Sequence, residues 1–177
     1  VSHVRLDGDA LGSELGLAHL LRARGRNPHV VNDSVIPKMY GFLPGVDEVG
    51  LSPAELRSDY DLAIALDLPA WSRAERVRKA LPESVPTVSI DHHPPIERVG
   101  DVEWVDTARS AVGEMLYLLA ASAGWTVTPE AATCLYVAIV TDTGRFTFPN
   151  TTADSLEAAA ALIRIGARHV LAAQRIY

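Results

Sequence analysis

Asp91-His92-His93 sets a carboxylate and two imidazoles in consecutive positions. Ahead of it, Val85-Pro86-Thr87-Val88-Ser89-Ile90 is a short, β-branched, largely apolar run that reads as a buried parallel strand. Behind it, Pro94 and Pro95 cannot continue a ladder. The triplet therefore stands where the chain leaves the sheet, and in open α/β sheets that carboxyl end is where ligands bind. A lone histidine there reads most simply as a polar turn residue. Two beside an aspartate raise the question of whether other strands end in matching chemistry. His3, Asp7 and Asp9 follow a first predicted strand, Asp67 ends another, and Asp142 follows a buried helix. Carboxyl ends of parallel strands share one edge of the sheet, so these groups can converge.

Such a cluster has a definite chemistry. Carboxylates packed together raise one another's pKa, and divalent cations remove that conflict. Aspartates with a minority of histidines suit Mn²⁺ or Mg²⁺ rather than the thiolate-rich sites that select zinc. A carboxylate bridging two ions roughly 3.5–4 Å apart is the arrangement that activates water for in-line attack on phosphorus. Taken singly, Asp67 is equally readable as a polar strand end, Asp142 as a loop or helix C-terminal acid, and Asp7-Gly8-Asp9 as a turn. The joint placement carries the argument.

The elements that must position these groups follow from periodicity. Val1 to Arg5 reads as the tail of a strand, and Leu6 to Ser13 as a small-residue loop. Leu15, Leu17, Ala18, Leu20 and Leu21 recur at helical spacing from Ser13 to Arg24, and Gly25 closes that helix. Pro28-His29-Val30-Val31 reads as a second strand. The irregular segment 36–50 is expected to be anchored by Tyr40, Phe42 and Leu43. Ser52-Pro53-Ala54-Glu55 has capping-box spacing. Asp61 to Leu66 is a buried strand ending at Asp67, Arg73 to Ala80 a polar helix, and Val102 to Val105 an edge strand. Ser110 is expected to cap a helix from Ala111 to Ala123. Thr128-Pro129 starts a helix apolar almost all round, Thr151 or Thr152 caps another to Ile165, and Gly166 stops it. The remainder to Tyr177 reads as helical. Strands alternating with helices predict an α/β fold: a mostly parallel open sheet with helices on both faces.

The chain has 177 residues and a formal charge of -6, so one domain is expected and no basic footprint for duplex nucleic acid is present. An anionic substrate must then be attracted by something other than net charge, and bound cations would supply it. The single cysteine, Cys134, lies in an apolar helical run with no base beside it and reads as a structural thiol. With no signal peptide and no membrane-length apolar run, a cytoplasmic protein without a membrane partner is expected. The start at Val1, with His3 following at once, suggests a longer protein whose ends are missing.

In order, these segments resemble the DHH phosphoesterase superfamily. Its motif His-x-x-Pro-Asp-x-Asp appears as His3-Val4-Arg5-Leu6-Asp7-Gly8-Asp9, its lone strand-end aspartate as Asp67, its triplet as Asp91-His92-His93, and Thr-Asp-Thr-Gly-Arg-Phe as Thr141 to Phe146. Within it, Asp7 to Ser13, Phe42-Leu43-Pro44-Gly45 and Thr143 to Phe146 look most like the bacterial nano-RNase and 3′-phosphoadenosine-5′-phosphate phosphatase branch. The resemblance implies that residues 1–177 are the catalytic DHH domain. It implies that His3 and Asp7 bind one metal, that Asp9, His92 and Asp142 bind the other, and that Asp67 bridges them. His93 would face the substrate phosphate and Asp91 would orient an imidazole. Arg145 would either clamp a phosphate or pair with a surface acid. Two divalent ions are implied, Mn²⁺ first and Mg²⁺ second. The implied substrate is a short single-stranded oligonucleotide or a nucleotide, and a homodimer is an allowed assembly. Leu6 replaces the family's proline without removing a ligand. A C-terminal substrate-gripping domain is expected in the full protein and is absent from this chain. The rival readings are a family II-type inorganic pyrophosphatase and a regulatory nucleotide-binding module without turnover.

Overall fold

A computed structural model describes residues 1–177. Strands β1 (Ala63–Leu66), β2 (Thr87–Asp91) and β3 (Val102–Val105) form a wholly parallel sheet in the order β1-β2-β3. Leu66 pairs with Ile90, and Ile90 with Trp104, so the carboxyl ends of the strands share one edge. The helices are α1 (Gly8–Arg22), α2 (Glu75–Ala80), α3 (Val112–Ser122), α4 (Pro129–Asp142), α5 (Ala153–Ile165) and α6 (His169–Ile176). On one face Leu66 and Ile90 join a core with Leu20 of α1, Met115 of α3, Ile139 of α4 and Leu162 of α5. On the other, Ala65, Leu68, Val99 and Ala74, which precedes α2, form a smaller cluster. The result is the open parallel α/β sheet with helices on both faces that the alternation of elements predicts.

Two expected strands are reduced to one residue each beside a neighbouring segment. Val1 lies beside β1, donating to the Ile64 carbonyl at 3.0 Å and accepting from Leu66 N–H at 2.9 Å. The chain then turns away, with a left-handed φ of 63° at Arg5. Pro28 to Val31 contributes only a parallel bridge between Val31 and Gly50, because the irregular segment opposite offers no longer partner. β1 begins at Ala63 rather than Asp61. The expected Arg73–Ala80 helix is split into a 3-10 turn, Trp71–Arg73, and α2, by a non-helical φ of -141° at Ala74.

Several ends fall as expected. Thr128 accepts from Ala131 N–H with Pro129 in the first turn, Thr152 and Ser155 form a capping box, and Gly166 ends α5 at a φ of 123°. Ser52 and Glu55 close a box around the 3-10 turn Pro53–Glu55. Tyr40 and Leu43 are buried and Phe42 packs beside them.

The largest difference is α1, which starts at Gly8 rather than Ser13 because Asp7 caps it, accepting from Ala10 N–H at 2.9 Å. Its small residues belong to a packing face. A Cβ at Gly8 would meet Thr141 Oγ1 at 2.3 Å, one at Gly12 the Cys134 carbonyl at 2.6 Å, and one at Gly16 Leu135 Cδ2 at 2.4 Å. Glycine every fourth residue thus lets α1 lie directly on α4. Gly113 lets α3 approach in the same way, its missing Cβ falling 2.4 Å from that of Ala138. These approaches carry the start of α1 to the end of α4, at the carboxyl edge of the sheet.

Candidate metal centre

Asp67 stands at the centre of the edge. It follows β1 in the left-handed region, with φ 53°, and is only 2 % exposed. A non-glycine residue keeps that conformation only where its surroundings hold it, and here its N–H bonds the Ile90 carbonyl at 3.0 Å. Its Oδ2 lies 3.3 Å from His3 Nε2. Its Oδ1 lies 3.1 Å from His93 Nδ1 and 3.7 Å from His92 Nε2.

Two imidazoles are oriented by backbone carbonyls. His3 Nδ1 is 2.8 Å from the Val4 carbonyl and His92 Nδ1 is 3.2 Å from that of Arg109. A carbonyl only accepts, so each Nδ1 carries a proton and each Nε2 is turned towards the carboxylates. His3 Nε2 is also 3.5 Å from Asp7 Oδ2. His92 Nε2 is 3.6 Å from Asp9 Oδ2 and 3.4 Å from Asp142 Oδ2. The candidate donor atoms of His3, Asp7 and Asp67 lie within 4.8 Å of one another, as do those of Asp9, His92 and Asp142 and those of Asp67, His92 and His93.

The remaining groups hold this arrangement. Asp9 is 1 % exposed and caps α3, accepting from Val112 N–H at 2.7 Å, Gly113 N–H at 3.0 Å and Ser13 Oγ at 2.8 Å. The expected cap from Ser110 is not formed. Ala111 is the cap residue, and Ser110 donates through N–H and Oγ to buried Glu114 at 2.9 and 2.7 Å. Sequence spacing could not reveal that Asp9 serves a helix more than a hundred residues away. Asp91 Oδ1 accepts from both the N–H and Nδ1 of His93 at 2.9 Å, leaving His93 Nε2 without a partner on a side chain 42 % exposed. Of the two alternatives for Arg145, the ion pair with a surface acid is not formed, and its guanidinium stacks on an aromatic ring instead. Gly144, Arg145 and Phe146 form a left-handed turn with φ of 53°, 64° and 63°, and the Arg145 guanidinium lies 4.4 Å over the Tyr177 ring.

The electrostatics are those of a site that protons fill by default. Burial opposes charge on His3, but its contacts with Asp67, Asp7 and the Val4 carbonyl raise its pKa to about 10. Asp67 and Asp91 likewise raise His93 to about 10 against its burial. Burial also opposes charge on Asp67, yet His3 and His93 hold its carboxyl well below the usual range. Burial, with the charges of Asp67 and Asp142, pushes Asp9 well above that range in spite of its bonds from Val112 and Ser13. Burial and the Asp67 and Asp7 charges raise Asp142 to about 6, against the pull of His92 and His93. His92 Nε2 is buried without a hydrogen-bond partner. A nitrogen lone pair left unpaired among carboxylates fits a borderline divalent cation.

Residues 1–139 match the DHH family, N-terminal domain. The chain is 38% identical over 165 residues to the bifunctional oligoribonuclease and PAP phosphatase NrnA of Bacillus subtilis, covering 92% of this chain and 51% of the relative. It is 36% identical over 167 residues to the protein of the same name in Thermus thermophilus, covering 94% and 49%. The crystal structure of an exopolyphosphatase-related protein from Bacteroides fragilis superposes with a TM-score of 0.94 at 25% identity, over 99% of this chain and 54% of that one. The chain spans about half the length of the curated relatives it matches. No helix is long and apolar enough to cross a membrane.

Proposed function

Because the chain belongs to the DHH family, we propose that it carries the metal centre of a phosphoesterase that hydrolyses short oligonucleotides and removes the 3′-phosphate of 3′-phosphoadenosine 5′-phosphate. The names of the relatives support that substrate class. The observation that carries the chemistry is the pair of imidazoles, His3 and His92, each turned Nε2-first towards aspartates, with His92 Nε2 buried and without a hydrogen-bond partner. His3 and Asp7 would hold one divalent ion, Asp9, His92 and Asp142 a second, and Asp67 would bridge. Mn²⁺ suits this set best, with Mg²⁺ the alternative. The bound ions would supply Lewis acidity, lowering the pKa of water and offsetting phosphate charge. Asp91 bonds the His93 ring through Nδ1, and the exposed Nε2 would donate to a phosphate oxygen as negative charge develops there. Arg145, stacked on Tyr177 and free of acids, offers a guanidinium for a second phosphate contact.

The test is a turnover panel with the purified protein and Mn²⁺, using 3′-phosphoadenosine 5′-phosphate, a dinucleotide and pyrophosphate, each with and without chelator. Chelator-sensitive hydrolysis of the first two is expected. Hydrolysis of pyrophosphate alone would move the reading to a family II-type pyrophosphatase. Nucleotide binding without turnover would make the chain a regulatory module.

A further inference from the structure

The three groups assigned to the second cation share one mount. His92 Nδ1 bonds the Arg109 carbonyl at 3.2 Å. Asp9 bonds the N–H groups of Val112 and Gly113 at 2.7 and 3.0 Å. Asp142 is tied through its own carbonyl: Asn150 Nδ2 donates to it at 3.1 Å and to the Ser110 carbonyl at 3.2 Å. Residues 109–113 thus touch the supports of Asp9, His92 and Asp142, which come from α1, the end of β2 and α4. No hydrogen bond or ion pair joins the segment to His3, Asp7 or Asp67. The segment is itself clamped. Arg109 reaches buried Glu114 at 2.9 Å, Asp154 at the start of α5 at 2.7 Å and Asp106 at 3.2 Å, while Glu114 takes both donors of Ser110.

We propose that residues 109–113 form a single mount for the Asp9–His92–Asp142 half of the centre, with Asn150 and Arg109 as its positioning residues. The inference rests on the two-cation reading above. Asn150 is solvent-exposed, so its packing contributes little to the fold. Its amide hydrogen-bonds a backbone carbonyl of the mount and one at the end of α4, joining the two directly. Arg109 holds the loop whose carbonyl sets the His92 tautomer. Outer partners of this kind typically change metal affinity by about 10–100-fold.

The experiment is Mn²⁺ titration calorimetry on the whole chain. Asn150→Asp keeps the shape and removes both donated bonds. Arg109→Lys keeps a cation for Glu114 but loses the planar fork. Each is made in wild type, in His3→Ala, which isolates the Asp9 half, and in His92→Ala, which isolates the Asp7 half. Asn150→Asp is expected to weaken binding about 10-fold or more in His3→Ala and by less than about twofold in His92→Ala, with the metal-free Tm unchanged. Arg109→Lys should show the same selectivity with a smaller loss, and should shift the ¹⁵N resonance of His92 Nδ1 but not that of His3. If the single-half backgrounds bind no Mn²⁺, the two steps of the wild-type titration give the answer, one weakened step supporting the mount. Equal weakening of both halves, or of neither, overturns it. Failure of wild type to bind Mn²⁺ at all would instead overturn the two-cation reading itself.

Discussion

The contact between α1 and α4 and the edge around Asp67 are joined through Asp9 and Asp142, yet they are built on opposite principles. In the contact, Gly8, Gly12 and Gly16 remove every Cβ that would hold the helices apart, and apolar side chains fill the space. At the edge, Asp67 has a left-handed φ, carboxylates face one another, and His92 Nε2 and Asp91 Oδ2 are buried without hydrogen-bond partners. A close-packed interior resists displacement, so the first region can hold the second in an arrangement that would not persist alone. The metal-free edge relies on protons to offset its carboxylates and on its neighbours for shape.

The largest expected effect breaks the edge and leaves the contact intact. Asp67→Asn keeps the shape and tolerates the left-handed backbone, but removes the charge proposed to bridge both halves. Activity is expected to fall by about a thousandfold, or ~4 kcal/mol, more than for the same change at Asp7 or Asp142. Steady-state kinetics at saturating Mn²⁺ provide the comparison, and an equal loss at Asp142 would contradict a bridging role for Asp67.

Breaking the contact comes next. Gly12→Ala drives a Cβ to 2.6 Å from the Cys134 carbonyl and 3.0 Å from Ala138 N, backbone atoms that cannot rotate away. The expected cost is about 2–3 kcal/mol, a fall in Tm of roughly 4–12 °C. Because α1 carries Asp9, Mn²⁺ affinity should fall with it. Thermal melts with and without Mn²⁺ check both, and an unchanged Tm would mean that α1 and α4 are not held at this distance.

A smaller effect sharpens the comparison through pH. The folded pKa of His3, about 10, is raised above 6.5, so its stabilising contribution is complete below about pH 6.5 and is lost as pH rises through 10. His93 acts in the same direction, discounted for its exposure. Asp142 has the opposite role for an acid: with a folded pKa of about 6, raised from 3.8, it destabilises the metal-free fold once it ionises above that range. The metal-free Tm should therefore decline from pH 7 to pH 10, and Mn²⁺ should flatten the decline by taking the place of the His3 proton. Parallel curves with and without Mn²⁺ would contradict this.

The smallest effect is in the packed region. Burial pushes the Cys134 thiol up, and it lies against the Pro44 carbonyl. Thiol reagents should leave it unmodified in the native protein and label it after unfolding. Rapid native labelling, read by mass spectrometry, would show that the α1–α4 contact opens.

Much of this was legible in the sequence. Strand-end acids sit at one edge because a parallel sheet allows nothing else, and Thr128, Thr152 and Gly166 act as caps and stop because their chemistry is local. The strands at Val1–Arg5 and Pro28–Val31 misled because β-branched residues register extended backbone but not whether a partner lies beside it. Gly8 and Gly12 looked like loop residues because close helix approach and loop flexibility call for the same amino acid. The capping of α3 by Asp9, the reach of Arg109 to Asp154 and the bond from Asn150 to the Ser110 carbonyl join residues far apart in the chain, and no spacing rule encodes them.

At the centre stands the proposal that the edge takes up two divalent cations in place of protons held by His3 and its neighbours. Mn²⁺ calorimetry at pH 7, repeated in buffers of different ionisation enthalpy, tests it most directly. The account predicts saturation at about two ions per chain, a rise in Tm, and net proton release, because the His3 Nε2 proton must leave before a cation enters. Saturable binding of two ions without proton release would contradict the proton-filled cluster, and no saturable binding with no change in Tm would contradict the metal centre itself.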